Sequence, residues 1–112
     1  MTNEDRNTSV YDTTKLTFST ALQYIKMGKK VAREGWNGKG MFVFLVPGST
    51  FKVNRPPLLG IYPEGTEIKY HAHIDMKTAD GQIVPWLASQ TDVLAEDWEV
   101  VEADARQLTL DL

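Results

Sequence analysis

The apolar residues of this chain recur with a helical period in one segment only. The spacing i, i+3, i+4 and i+7 predicts a single apolar stripe on a short helix, formed by Phe18, Ala21, Leu22 and Ile25. Thr17 suits the N-cap of this helix, and Gly28 suits the position just after its end. A helix of about ten residues is marginal alone in water, so it must pack on a sheet.

After Gly28 the sequence reads as strands and turns. It predicts strands over residues 30–33, 41–46, 51–53, 68–77, 82–86 and 97–101, and a short helical stretch at 93–95. The run at 41–46 is apolar on both faces, which is typical of a central strand, and Pro85 indicates an edge. Asp80-Gly81 predicts a hairpin. The predicted fold class is therefore α+β, with one N-terminal helix packed on a small, mostly antiparallel β-sheet.

A chain of 112 residues is expected to form one domain. The polar residues 1–15 predict a flexible N-terminal segment, residues 16–101 a single domain, and residues 102–112 a C-terminal tail. Residues 54–65 hold three prolines and two glycines. A loop of that length in so small a domain usually binds or covers something.

Cysteine is absent, which excludes a disulfide scaffold, a thiolate zinc site and a cysteine nucleophile. This absence fits a reducing compartment. The longest apolar run, 41–47, is too short to span a bilayer, and the first fifteen residues lack the apolar core of a signal peptide. We therefore expect a cytoplasmic protein without a membrane partner.

Charge is unevenly distributed along a chain whose net charge is −3. Residues 26–55 carry a net charge of +6, and residues 91–101 carry −4. Residues 16–101 are balanced, with nine basic and nine acidic side chains, which argues against a DNA or RNA partner. The basic segment is suited to binding a small anion. Alternatively, the two segments face each other across the fold or a subunit contact.

No arrangement in the sequence is typical of catalysis. His71 and His73 provide two metal ligands at most, and no third ligand accompanies them, so we predict solvated histidines and no metal or other cofactor. The acidic side chains at 92, 96, 97 and 99 predict a solvated acidic face. Phosphate-binding loops, dinucleotide fingerprints and nucleophile elbows are missing. We predict that the protein is not an enzyme.

The three tryptophans are candidates for binding or for packing. Trp98 alternates with polar residues in a predicted strand and is expected in the core. Trp36 precedes the glycine-rich turn 37–40, and Trp86 precedes the polar turn 88–92. An indole at a strand end, beside amide and hydroxyl groups, can stack on a nucleotide base. Alternatively, both indoles plug the ends of a small barrel or seal a subunit interface.

Two segments resemble a known family. They are KKVAREGWNGKGMFVFLVPGS at 29–49 and IDMKTADGQIVPWLASQTDVLAEDWEVV at 74–101, and the resemblance, which spans about 16–101, is to the phage proteins of the Thoeris anti-defence 2 family. It implies a homotetramer with ligand pockets between subunits. It also implies sequestration, without degradation, of the cyclic ADP-ribose isomers (gcADPR among them) that Thoeris TIR-domain enzymes make. Some members also bind CBASS cyclic dinucleotides at a separate site.

The resemblance implies a role for residues near the two tryptophans. Trp36 and Trp86 would form the aromatic sides of the pocket, and hydrogen bonds would come from Asn37, Ser89, Gln90, Thr91 and Asp92. The candidate cations for a pyrophosphate are Arg33, Lys39, Arg55 and Lys77. Alternatively, each of them is a solvated surface residue. Both termini and the loop 54–67 depart from the family pattern, so the preferred isomer is not predicted. The alternatives are an enzyme that degrades a cyclic nucleotide signal through the histidines, and a structural oligomerisation module.

Overall fold

The computed structural model describes residues 12–102 and confirms the α+β class. A five-stranded antiparallel sheet has the strand order β6-β5-β2-β1-β7, and a two-stranded sheet pairs β3 with β4. The elements in chain order are α1 (Phe18–Lys26), β1 (Lys30–Arg33), β2 (Phe42–Val46), β3 (Ser49–Lys52), β4 (Glu67–Tyr70), β5 (His73–Lys77), β6 (Ile83–Pro85), α2 (Gln90–Leu94) and β7 (Trp98–Val101).

Helix α1 begins and ends where the sequence predicts. The Thr17 hydroxyl accepts a hydrogen bond from the Thr20 N–H at 3.3 Å. Gly28 follows the helix with φ of +92°, a conformation that favours glycine, and the Lys29 N–H donates to the Tyr24 carbonyl at 3.0 Å. Local chemistry alone therefore delimits this helix.

The core lies between α1 and one face of the five-stranded sheet. It is a cluster of buried side chains from the helix and three strands: Ala21, Ile25, Val31, Val43, Trp98 and Val100. Strand β2 is central, as predicted, and β6 with Pro85 is at an edge, as predicted. The helix contacts β1, β2 and β7, so the face with Val31 and Val43 is the covered one.

The prediction of one continuous strand over residues 68–77 is wrong, because β4 and β5 belong to different sheets. Their pairing keeps one register across the break: Val46 lies opposite His73, and Ser49 lies opposite Tyr70. The two pairs are thus one long ribbon interrupted where Pro47-Gly48 lies opposite residues 71–72. Proline has no N–H to donate to a ladder, which accounts for the interruption.

Helix α2 begins earlier than the predicted stretch at 93–95. Ser89 is its N-cap and forms a capping box with Asp92, in which each side chain accepts from the other residue's backbone N–H, at 3.0 and 3.1 Å. The predicted polar turn is therefore the first turn of a helix. Among residues 12–102, neither helix is long and apolar enough to cross a membrane.

The chain before α1 runs beside β7. The Val100 N–H donates to the Thr13 carbonyl at 2.9 Å, and Leu16 and Trp98 exchange backbone hydrogen bonds of 2.8 and 3.1 Å. This contact was not predicted. The remainder of the predicted N-terminal segment, before residue 12, and the tail beyond residue 102 lie outside the described residues.

Candidate functional site

Three indoles meet at one end of the sheet. Trp98 is fully buried, as predicted, and its ring centroid lies 5.4 Å from that of Trp36 and 6.1 Å from that of Trp86. The centroids of Trp36 and Trp86 are 6.5 Å apart with steeply inclined rings, and Phe18 of α1 contacts the cluster from the helix. Trp36 and Trp86 are both half-buried at the border of this cluster.

A tight turn after β1 positions Trp36. Its N–H donates to the Arg33 carbonyl at 3.2 Å, and the Gly35 N–H donates to Oδ2 of Asp97 at 2.8 Å. A Cβ on Gly35 would lie 2.8 Å from that same oxygen, so any other residue at this position would require the Asp97 side chain to shift. Sequence reasoning missed Gly35 and Asp97, because only the pairing of β1 with β7 brings them together.

Trp86 follows the edge strand directly. Its N–H donates to the Ile74 carbonyl at 3.1 Å, which continues the ladder between β5 and β6. The next residue, Leu87, leaves the sheet and is 91% exposed. The backbone of Trp86 is thus fixed by pairing with β5, its ring is half-buried, and the residue after it is an exposed apolar side chain.

The Asp92 carboxylate joins several parts of the cluster. Its Oδ1 accepts from Nη1 of Arg33 at 3.0 Å and from Nε1 of Trp36 at 3.4 Å, while its Oδ2 accepts from the Ser89 N–H. Its backbone carbonyl accepts from Nε1 of Trp98 at 2.9 Å. Burial alone would raise the pKa of Asp92, but the hydrogen bonds from Ser89, Arg33 and Trp36 outweigh it and lower that pKa.

Arg33 bridges two carboxylates. Besides its contact with Asp92, its Nε donates to Oδ1 of Asp97 at 2.9 Å. The hydrogen bond from Arg33 is the main reason that the pKa of Asp97 is lowered. At Arg33, the basic segment 26–55 and the acidic segment 91–101 therefore face each other across the fold, which was the alternative to anion binding. The prediction of a solvated acidic face is wrong for Asp92, which is 8% exposed, because Arg33 compensates its charge inside the protein.

A cavity of about 350 Å³ lies beside Trp36. Residues from the glycine-rich turn and from β1 and β7 line it, among them Ala32, Lys39, Met41 and Glu99. Trp36 is therefore not enclosed by its own protomer. Asn37, Ser89, Gln90 and Thr91 are exposed, the first directly after Trp36 and the others at the start of α2. The structure thus brings Arg33, Trp36, Trp86 and Asp92 into one cluster.

Arg55 lies elsewhere. It lines a second cavity of about 500 Å³ between the two-stranded sheet and the proline-rich loop, together with Lys52, Asn54 and Tyr70. The rings of Phe51 and Tyr70 pack there at an angle of 49°, with their centroids 5.2 Å apart. The prediction that Arg55 contacts a ligand stays untested, and its cavity is separate from the one beside Trp36.

The two histidines differ in setting. His73 is on β5, with Nε2 3.5 Å from Oδ2 of Asp75 and Nδ1 3.1 Å from the His71 carbonyl. His71 lies in the break between β4 and β5, so the prediction that both project from one continuous strand is wrong. Across residues 12–102, no three histidine or acidic side chains are grouped closely enough to hold a metal ion.

Comparison with known proteins points to one family. The family model described as Tad2-like, Thoeris anti-defense 2-like domain, matches residues 16–101. A protein of Bacillus phage SP01 named Thoeris anti-defense 2 is 44% identical over 88 residues, which cover 79% of this chain and 97% of that protein.

Proposed function

This chain belongs to the Thoeris anti-defense 2-like family, and we propose that it is a phage anti-defence protein that binds cyclic ADP-ribose isomers and sequesters them without degrading them. The observation that carries this proposal is that the half-buried Trp36 lies beside a cavity. The half-buried Trp86 is adjacent to Trp36, with the two ring centroids 6.5 Å apart. An indole kept only for packing would be enclosed, as Trp98 is. Removing the signal would deprive the host's defence of its trigger.

The chemistry of such a ligand matches the groups around the cavity. A cyclic ADP-ribose presents a purine, two riboses and a pyrophosphate with two negative charges. An exposed aromatic face contributes about 1–3 kcal/mol by stacking on a base. Lys39 lines the cavity and is suited to the pyrophosphate, while Asn37, Gln90 and Thr91 are exposed and available for hydrogen bonds to the riboses.

We propose that the site is completed by a second subunit within a homotetramer. Apolar side chains near Trp86 face solvent in the single protomer: Leu87 is 91% exposed, Leu94 is 74% exposed and Val93 is 44% exposed. Such a cluster is typical of a protein interface. A partner covering it would also cover the open side of Trp86 and so enclose more of the ligand, as tight small-molecule binding requires.

A second ligand class is supported by the cavity at the two-stranded sheet. Lys52 and Arg55 provide positive charge beside the tilted rings of Phe51 and Tyr70. Guanidinium and ammonium groups bind phosphates, and aromatic faces stack on bases. We propose that cyclic dinucleotides bind at this second cavity, independently of the site at Trp36. The protein would act in the host cytoplasm, where both kinds of signal are made.

The test is calorimetric titration of the purified protein with cyclic ADP-ribose isomers and cyclic dinucleotides. We expect Trp36→Ala and Trp86→Ala to weaken cyclic ADP-ribose binding about 5- to 150-fold, the equivalent of one lost stacking contact of about 1–3 kcal/mol. Tyr62→Ala, which removes a partly exposed aromatic ring from the proline-rich loop, is the control and should bind normally. Arg55→Ala should weaken cyclic dinucleotide binding only.

Two further measurements separate the alternatives. After binding, the protein is denatured by heat and the ligand is analysed by mass. Intact ligand supports sequestration, whereas a degraded product that disappears in His71→Ala/His73→Ala supports an enzyme. The mass of Trp86→Ala in solution addresses the structural alternative. A dissociated variant would assign Trp86 to a subunit contact, and an intact oligomer without ligand binding supports the pocket. Absence of binding by the wild type would refute the proposal.

A further inference from the structure

The Asp92 carboxylate is occupied by contacts within the protein. Its Oδ1 accepts from Arg33 and Trp36, and its Oδ2 accepts from the Ser89 N–H. A carboxylate offers about four acceptor positions, and three are used here. The residue is also only 8% exposed. A ligand that bound Asp92 directly would have to displace these donors.

Two of the five N–H donors of Arg33 are bound within the protein. Its Nη1 and Nε are bound to Asp92 and Asp97 at 3.0 and 2.9 Å, and its side chain is 16% exposed. The guanidinium carries one positive charge and its two partners carry two negative charges. The three side chains together are therefore net negative, which disfavours the approach of a pyrophosphate. Lys39 lines the cavity beside Trp36 together with Arg33, and among the ion pairs of the described residues it has no carboxylate partner.

The same three side chains hold Trp36 at several points. Asp92 accepts from the indole edge, and Asp97 accepts from the N–H of Gly35, the residue just before Trp36. The Arg33 side chain binds both carboxylates, and its backbone carbonyl accepts a hydrogen bond from the backbone N–H of Trp36. Trp98, whose Nε1 donates to the Asp92 carbonyl, packs against the Trp36 ring at a steep angle.

We propose that Arg33, Asp92 and Asp97 are positioning residues that fix the orientation of the Trp36 indole for the ligand, and that the two carboxylates do not themselves contact it. This inference rests on the proposed function. Arg33 and Asp92, both in the predicted site, would then affect ligand binding by orienting the Trp36 indole. A ring held in the bound orientation before the ligand arrives loses less rotational freedom on binding, which strengthens binding without adding a contact.

A double-mutant cycle tests the role in binding. Asp92→Asn keeps the shape of the side chain and removes its charge, and Trp36→Phe keeps an aromatic face and removes the indole N–H. We expect Asp92→Asn to weaken binding of cyclic ADP-ribose about tenfold when Trp36 is present, and less than about twofold in the Trp36→Phe background. Equal losses in both backgrounds would show that Asp92 contacts the ligand, and would overturn the proposal.

Nuclear magnetic resonance of the ligand-free protein tests the positioning itself. The indole N–H signal of Trp36, assigned by its loss in Trp36→Phe, should exchange slowly with solvent in the wild type and should shift and exchange faster in Asp92→Asn. Asp75→Asn is the matched control, because the Asp75 side chain is 16% exposed and that of Asp92 is 12% exposed, and the ion-pair partner of Asp75 is His73.

The binding experiment and the magnetic resonance experiment can each fail without the other. If the wild type binds no cyclic ADP-ribose, the proposed function is wrong, and the indole signal still decides whether Asp92 holds Trp36. A Trp36 indole N–H that exchanges as fast as free indole in the wild type would overturn the positioning role, even if Asp92→Asn did not fold. Asp97→Asn, which leaves the Asp92 contact in place, should perturb the Gly35 amide signal first.

Discussion

Asp92 and Asp97 are acidic side chains whose charge is compensated inside the protein. Arg33 is bound to both, and N–H groups of Gly35, Ser89 and Trp36 complete their hydrogen bonding. Asp92 would be costly to bury alone, and these donors offset that cost. At the scale of single residues, the cluster of three indoles is therefore held together by ion pairs as well as by aromatic packing.

This arrangement predicts a specific dependence of stability on pH. The pKa values of Asp92 and Asp97 are lowered in the folded protein, whereas an unfolded aspartate titrates near pH 4. The folded state then binds fewer protons than the unfolded state in acid. The stabilisation is present above about pH 5 and is lost as the pH falls through the two folded pKa values, by up to about 1.4 kcal/mol per pH unit for each proton.

Urea unfolding between about pH 2 and pH 6 measures this dependence. We expect the free energy of unfolding of Asp92→Asn/Asp97→Asn to fall less steeply in acid than that of the wild type, and to be lower than the wild type at neutral pH. An unchanged slope in the double variant would show that these two carboxylates do not carry the acid sensitivity.

At the scale of elements, the long ribbon formed by β2–β5 and β3–β4 depends on one close approach. A Cβ on Gly48 would lie 2.9 Å from the Tyr70 carbonyl oxygen and 3.2 Å from the Ala72 nitrogen. Both neighbours are backbone atoms and cannot rotate away as a side chain can. The two halves of the ribbon therefore meet at a point where only glycine fits.

We expect Gly48→Ala to destabilise the fold by about 1–3 kcal/mol, the usual cost of forcing added volume into a tight contact. Chemical denaturation monitored by circular dichroism measures the change. Ser49→Ala, one residue further on at an exposed position, is the control and should change stability by less than about 0.5 kcal/mol. Equal stability of Gly48→Ala and wild type would contradict the close approach.

At the scale of the whole molecule, one face of the main sheet carries no helix in the described part of the chain. Phe42 and Phe44 alternate with the core residue Val43 and so project from the face opposite α1, where Lys30 and Lys77 lie 4.9 and 5.6 Å from the centre of the Phe42 ring. The exposed side chains around Trp86 form a second apolar surface. A tetramer of dihedral symmetry requires two different interfaces, which these two surfaces could supply.

The proposed tetramer makes a direct prediction for the surface around Trp86. We expect Leu87→Glu/Leu94→Glu to lower the mass in solution from that of a tetramer to that of a dimer or monomer, because buried carboxylates without partners oppose association. Sedimentation equilibrium measures the mass. Ile61→Glu, at a position 67% exposed in the proline-rich loop, should remain tetrameric. A monomeric wild type would refute the tetramer itself.

Features that depend on neighbouring residues were predicted correctly from the sequence. The N-cap at Thr17, the glycine after α1, the central strand at 42–46 and the edge strand at Pro85 follow from local spacing and from the chemistry of single residues. Trp98 was expected in the core for the same reason. The quoted motifs also sufficed to identify the family, which the comparisons confirm.

The tertiary structure alone decided which distant groups meet. Arg33 contacts Asp92 and Asp97, which are 59 and 64 positions away, and Trp36 contacts Asp92 across 56 positions. No local pattern specifies such pairs, because they arise from the pairing of β1 with β7 and from the position of α2 just before β7. The break opposite Pro47 was hidden for a similar reason: the alternation over 68–77 is intact, and the residues that interrupt the ladder lie on the other strand.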